Sequence, residues 1–184
     1  MKKNLFLIVL FMMTINLMGQ NKYFTRSGHI WFFSSAPLED IEAHNKQVNA
    51  AINIETGDIL YQVLIKSFEF EKALMQEHFN ENYMESDIYP KAVFKGKITN
   101  LADIDFATDG VKEVNVSGSL TIHGVTKDIS EKGSIVVNGD ELHSKAKFSI
   151  RLEDYNIERP NAVVKKIAEE VDINVDVVLK KINK

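Results

Sequence analysis

Cysteine is absent from the 184 residues. That removes disulfides, thiolate metal sites, cysteine nucleophiles and a lipid anchor carried on an N-terminal cysteine. Proline occurs 3 times and glycine 9 times, too rarely for a long flexible linker. Lysine and arginine number 22 against 26 acidic residues, a formal charge of −4. No basic stripe is present, which argues against nucleic-acid binding. There is no Gly-x-Ser-x-Gly elbow, phosphate-cradling glycine loop or dinucleotide fingerprint. The five histidines, at 29, 44, 78, 123 and 143, show no paired ligand spacing, and Glu77-His78 lacks the second histidine of a helical zinc site. Asp103, Asp105 and Asp109 lack the glycine and terminal glutamate of a calcium hand, so a solvated loop is expected there. Arg151, Glu153, Asp154 and Arg159 surround Tyr155, either as a polar rim or as the solvated charge cluster usual at a strand end. No catalytic constellation, metal site or cofactor is expected; the chain reads as a non-enzyme.

What is present is ordinary globular material, 45% hydrophobic and 26% charged, of a length that suits one domain. The first residues stand apart. Lys2 and Lys3 precede an apolar run from Leu5 to Met18, broken only by Thr14 and Asn16, and Gly19-Gln20 close it. The order of charge, apolar stretch and small residue is that of a secretory signal peptide. The run of about 14 residues is shorter than the roughly 20 a membrane-spanning helix needs. Cleavage after Gly19 or Gln20 would leave 20–184 as a single domain, periplasmic or secreted. No later segment is apolar enough to span a bilayer as a helix.

The remainder alternates with period two, as half-buried strands do. Val48, Ala50, Ile52 and Ile54 share one face, and Ile59, Tyr61, Val63 and Ile65 follow a turn at Thr56-Gly57-Asp58. Ala92, Phe94, Gly96 and Ile98 form a third set, and Val114, Val116, Gly118, Leu120 and Ile122 a fourth. After Asn138-Gly139-Asp140 come Leu142, Ser144, Ala146, Phe148 and Ile150. Val171, Ile173, Val175, Val177 and Leu179 close the chain. Tyr23–Ser34 and Val125–Val137 read as two further strands with less regular patterns. About eight antiparallel strands make a barrel or a sandwich, and short links in chain order favour an up-and-down barrel. Ala50, Gly96, Gly118, Ser144 and Ala146 are small inward residues that tip such a barrel toward a cavity, against Phe94, Phe148 and Trp31, which could fill it.

The alternation breaks at Glu71–Phe79, which reads as a short helix with Leu74, Met75, His78 and Phe79 on one side. Phe68 and Phe70 precede it; Tyr83, Met84 and Tyr89 follow. This cluster is either a plug sealing one barrel end or an adaptable lining for a ligand mouth. His123, before Gly124 in a tight reversal, either hydrogen-bonds the hairpin or contacts a ligand headgroup.

The segment Leu120-Thr121-Ile122-His123-Gly124-Val125-Thr126-Lys127 resembles the signature hairpin of the YceI-like family. His78-Phe79-Asn80-Glu81-Asn82-Tyr83-Met84-Glu85-Ser86, with Tyr89-Pro90-Lys91-Ala92 and Phe94-Lys95-Gly96, resembles that family's helix, Tyr-Pro turn and next strand. Phe148-Ser149-Ile150 and Asp154-Tyr155-Asn156-Ile157 match more weakly. The resemblance implies an all-β fold, an extended eight-stranded antiparallel lipocalin-like barrel with a short helix at 71–79 near one end. It also implies an exported carrier or store for an isoprenoid or other long-chain lipid in an apolar tunnel. Tyr61, Val63, Phe70, Leu74, Met75, Phe79, Phe94, Phe148 and Ile150 are the expected lining, and 68–89 the expected gate. A homodimer is compatible with this reading. The alternative is a packed, ligand-free barrel serving as an interaction or stress module in the envelope. Two departures from the family pattern stand near the start: Ser27–Ser34 replaces the usual opening strand and glycine-rich turn, and Ala36–Ile41 reads as a short helical insert.

Overall fold

The computed structural model describes residues 21–159 and 167–182; the segment expected to be a signal peptide lies outside them. Eight long strands form one closed antiparallel barrel: β1 (Lys22–Ser35), β2 (Asp40–Asn53), β3 (Asp58–Leu64), β5 (Lys91–Ile98), β6 (Gly110–Ile122), β7 (Val125–Asn138), β8 (Glu141–Arg151) and β9 (Glu170–Lys181). Each strand pairs with the next in the chain, and β1 pairs with both β2 and β9 to close the ring. A two-residue strand, β4 (Glu69–Phe70), lies beside β2. Closure gives a meander with an inner and an outer face.

The alternating rows fold as alternation demands. Ala50, Ile52, Ile135, Leu142, Val177 and Leu179 are almost fully buried, and Leu101, Ile104 and Phe106 of the β5–β6 loop pack beneath them. This end of the barrel is therefore solid. Asp105 does not gather its neighbours into a cation site; its carboxylate accepts from the Ala107 amide and the Thr108 hydroxyl. At the opposite end, termed the mouth, lie the β1–β2 turn, the β3–β5 connection, the β6–β7 turn and the β8–β9 connection.

The structure corrects the sequence reading in several places. Ala36–Ile41 is not a helix: Ala36 N–H donates to Glu39 O at 3.3 Å in a tight turn, and β2 begins at Asp40. Strand β2 is twice as long as its alternation suggests. Its inward residues run Ala43, Asn45, then Val48 and Ala50, and the paired register with β1 shifts between Gly28 and Ile30. A bulge at Lys46-Gln47 breaks the period while the strand continues. The buried Asn45 holds it, accepting from Gln47 N–H and donating to Leu64 O. Trp31 does not fill the barrel. Ile30 and Ser34 point inward, so Trp31 faces outward, stacked on His29 at 4.8 Å. His29 and His44, distant in sequence, approach to 3.0 Å there. Burial first, then His44 and Lys46, hold His29 below the ordinary histidine range against the opposing pull of Asp176.

Gly96 and Gly118 also differ from expectation. Directly paired across β5 and β6, they do not open space. A Cβ on Gly118 would stand 2.3 Å from Lys95 O, and one on Gly96 would stand 2.5 Å from the Phe94 ring. Their smallness lets the two backbones close and the Phe94 ring fold over Gly96. The helix is shorter than expected: α1 spans Ala73–His78 and continues into a turn of π-helix, Phe79–Tyr83.

Candidate functional site

Above the solid end the barrel is hollow. A cavity of about 520 Å³ occupies the mouth half, bounded below by Ile59, Val114 and Ile135 and reaching α1 above. Its volume falls within the roughly 300–1,000 Å³ that holds a small organic ligand. The wall is made by inward residues of alternating strands, so it is apolar because the sequence alternates. Tyr61 and Val63 come from β3, Phe94 from β5, Phe148 and Ile150 from β8, and Phe70, Leu74, Met75 and Phe79 from the β3–β5 connection. All nine residues expected to line a cavity are placed in this one wall. Leu74 is at its outer margin, 60% exposed.

Of the five small inward residues, only Ser144 and Ala146 face this space; Ala50 lies in the packed end. Gly133 on β7 lines the cavity and carried no distinguishing mark in the alternation. Phe32 and Phe68 line it as well. With Phe70 and Phe79 they form a cluster at the mouth, every contact between 5.0 and 5.8 Å. Phe32 follows from strand parity once a second register shift, in β1 between Thr25 and Gly28, is known. Phe68 lies just after a short 3-10 turn, Ile65–Ser67, where no periodic rule applies.

Helix α1 buries none of its own residues. Lys72 holds its start by an ion pair to Glu39 at 2.8 Å, joining the helix to the neighbouring β1–β2 turn. The far end of this connection is held differently. Glu85 and His123 both adopt left-handed backbone, φ 41° and 49°, which non-glycine residues rarely do. His123 Nε2 lies 2.9 Å from Glu85 Oε2 and Nδ1 lies 3.2 Å from Tyr155 O, while Tyr89 packs edge-on against the ring at 4.6 Å. With Gly124 at φ 74°, His123 builds a two-residue hairpin turn having both central residues at positive φ. His123 therefore ties the β6–β7 turn to the β3–β5 and β8–β9 connections, and it is not among the residues lining the cavity.

Polar groups inside are few. The Tyr61 hydroxyl donates to Ser144 Oγ at 2.7 Å, bridging opposite walls from β3 to β8. Enclosure by protein pushes the Tyr61 hydroxyl up to about 12, partly offset by the Ser144 hydrogen bond. Glu131 on β7 reaches the cavity, as do Glu39, Lys72 and His78 at the α1 end; Lys145 borders it from β8 with its ammonium 3.4 Å from Asp176 Oδ2. Among the described residues, no three histidines or carboxylates are grouped to hold a metal, and no helix is long and apolar enough to cross a membrane.

The family model for the YceI-like domain matches residues 23–179. No curated protein matches the chain. Solved structures share the architecture. The structure of a polyisoprenoid binding domain from Saccharophagus degradans implicated in plant cell wall breakdown superposes with a TM-score of 0.76 at 16% identity, covering 89% of this chain and 99% of the other. BcnA of Burkholderia cenocepacia gives 0.63 at 18% identity, covering 82% and 95%. A YCEI protein of Campylobacter jejuni gives 0.58 at 16%, covering 77% and 85%.

Proposed function

The chain belongs to the YceI-like family, and from that membership and the cavity we propose that it binds an isoprenoid or other long-chain lipid, as a non-catalytic carrier or store in the cell envelope. The observation that carries this is the hollow mouth half, with apolar walls contributed by every part of the sheet. A barrel serving only as a packed interaction module gains nothing from that space. The similar fold of a polyisoprenoid binding domain from Saccharophagus degradans points to the same ligand class.

The physical account needs no covalent step. Burying roughly 400 Å² of ligand chain at about 25 cal/mol per Å² contributes about 10 kcal/mol, of the same order as association costs of about 4–15 kcal/mol. The apolar chain supplies the main favourable contribution, so longer hydrocarbons are retained better. The polar pair inside, Tyr61 and Ser144, is spent on itself, and the proposed role is accordingly holding, not chemistry. The N-terminal charge and apolar run support export to the periplasm or beyond, without a lipid anchor on cysteine.

Native mass spectrometry of the exported protein, purified without detergent, tests the reading. The expected result is an added mass that leaves on organic extraction as an isoprenoid or long-chain lipid. A bare protein mass, with no uptake of added geranylgeraniol or of a long-chain fatty alcohol, would overturn it.

A further inference from the structure

The barrel wall is not equally strong all round. Strand β6 pairs with β7 along thirteen positions, from Gly110–Val137 to Ile122–Val125. Strand β8 pairs with β9 along eleven, from Glu141–Lys180 to Arg151–Glu170. Between these two complete ladders, β7 and β8 pair only from Asn138–Glu141 up to Gly133–Ala146. Above that point residues 125–132 of β7 and 147–151 of β8 run on toward the mouth without a ladder between them. The two strands close at Gly133, where a Cβ would stand 2.7 Å from Lys145 O, and part above it. The short 3-10 turn Leu152–Tyr155 spans the top, where Lys127 reaches Asp154 at 3.8 Å.

This slot lies beside the cavity. Both lips line it: Ile129, Glu131 and Gly133 on one side, Ala146, Phe148 and Ile150 on the other. Ile129 and Phe148 are only half-buried. Widening any complete seam would break backbone hydrogen bonds one after another, each leaving donors and acceptors without partners. Widening this one requires side-chain rotation alone. Glu131 stands at the lower lip, half-buried in the lining row, and offers a carboxylate by which a polar end can stay while a chain lies inside.

We infer that the slot between β7 and β8 is the passage through which a lipid chain enters and leaves, sideways, with its polar end resting by Glu131. The inference rests on the carrier reading and places the gate in the barrel wall, not at α1. Helix α1 then acts as a fixed cap, held by the Lys72–Glu39 ion pair at one end and by His123 and Glu85 at the other.

Because the natural chain has no cysteine, introduced thiols can be clamped selectively. Lys132 and Lys147 are the next opposed pair above Gly133–Ala146. A K132C/K147C protein is joined by a short bismaleimide with a reducible spacer, and a Glu39→Cys/Lys72→Cys protein is joined likewise to lock α1. Uptake of geranylgeraniol from phosphatidylcholine vesicles is timed before clamping, after clamping and after reduction of the spacer. The slot clamp is expected to slow uptake about tenfold or more, reversibly, while the α1 clamp changes it by less than about twofold. Slowing by the α1 clamp alone, equal slowing by both, or no effect of the slot clamp would overturn the lateral passage while leaving the carrier intact. No uptake by either unclamped protein would instead sink the carrier reading and the passage with it.

Discussion

Removing the Tyr61 hydroxyl isolates a hydrogen bond that spans the cavity. Tyr61→Phe keeps the ring and leaves Ser144 Oγ facing an apolar wall without its donor. Ser144→Ala leaves the tyrosine hydroxyl stranded in the same way. Orphaning a buried polar group costs about 1–3 kcal/mol, whereas removing both partners is nearly neutral. Each single variant should therefore lose about 1–3 kcal/mol, and the double variant should recover at least about 1 kcal/mol of the summed loss. For a chain of this length that is a fall of about 2–4 °C in Tm per kcal/mol. Thermal and urea unfolding followed by circular dichroism would measure all four corners of the cycle. Strictly additive losses would refute the cross-barrel bond. Two single variants as stable as the parent would show that neither group is orphaned, because water inside the cavity replaces the missing partner.

Further expectations follow from the same residues. The Tyr61 hydroxyl is raised by burial from its ordinary value near 10 to about 12, so its share of stability is complete below pH 10. It is lost as pH rises from 10 through 12, by about 3 kcal/mol in total; alkaline unfolding of Tyr61→Phe should show a flatter limb, and an identical limb would count against this. Gly118→Ala drives a methyl into Lys95 O and should cost about 1–3 kcal/mol or more in urea unfolding; a neutral result would mean that β5 and β6 separate easily. Phe148→Trp fills cavity space and should lower the amount of geranylgeraniol bound at saturation while the barrel stays folded. Phe79→Ala removes the ring that all three other mouth phenylalanines touch and should speed release of a bound chain in a stopped-flow competition experiment.

Much of the barrel is visible in the residues. From β5 to β9 the period-two rows fix which side chains face inward, and the nine expected lining positions all stand in the cavity wall. The failures have identifiable causes. Lys46-Gln47 inserts an extra residue, so the apolar period stops while pairing does not, and the first half of β2 cannot be read as a strand. The companion shift in β1 reverses parity and sends Trp31 outward. Gly96 and Gly118 were small for backbone contact, and a residue's size does not disclose whether a neighbour fills the gap it leaves. Phe68 joins the mouth cluster from an irregular connection, where spacing carries no direction.

Alternation, turn glycines and the lack of competing chemistry are local properties, and the sequence by itself determined them: antiparallel strands in chain order, apolar within and polar without, with no thiol and no catalytic motif. Whether those strands enclose a void depends on sums over the whole ring. Cavity volume is what remains after Phe94 folds over Gly96, the β5–β6 loop plugs one end and four phenylalanines meet at the other. The hydrogen bond from Tyr61 to Ser144 joins residues 83 apart in the chain, and the parting of β7 from β8 is a matter of strand separation that neither strand's own sequence encodes. Those features belong to the tertiary structure because each is a distance between elements, and only closure of the barrel sets it.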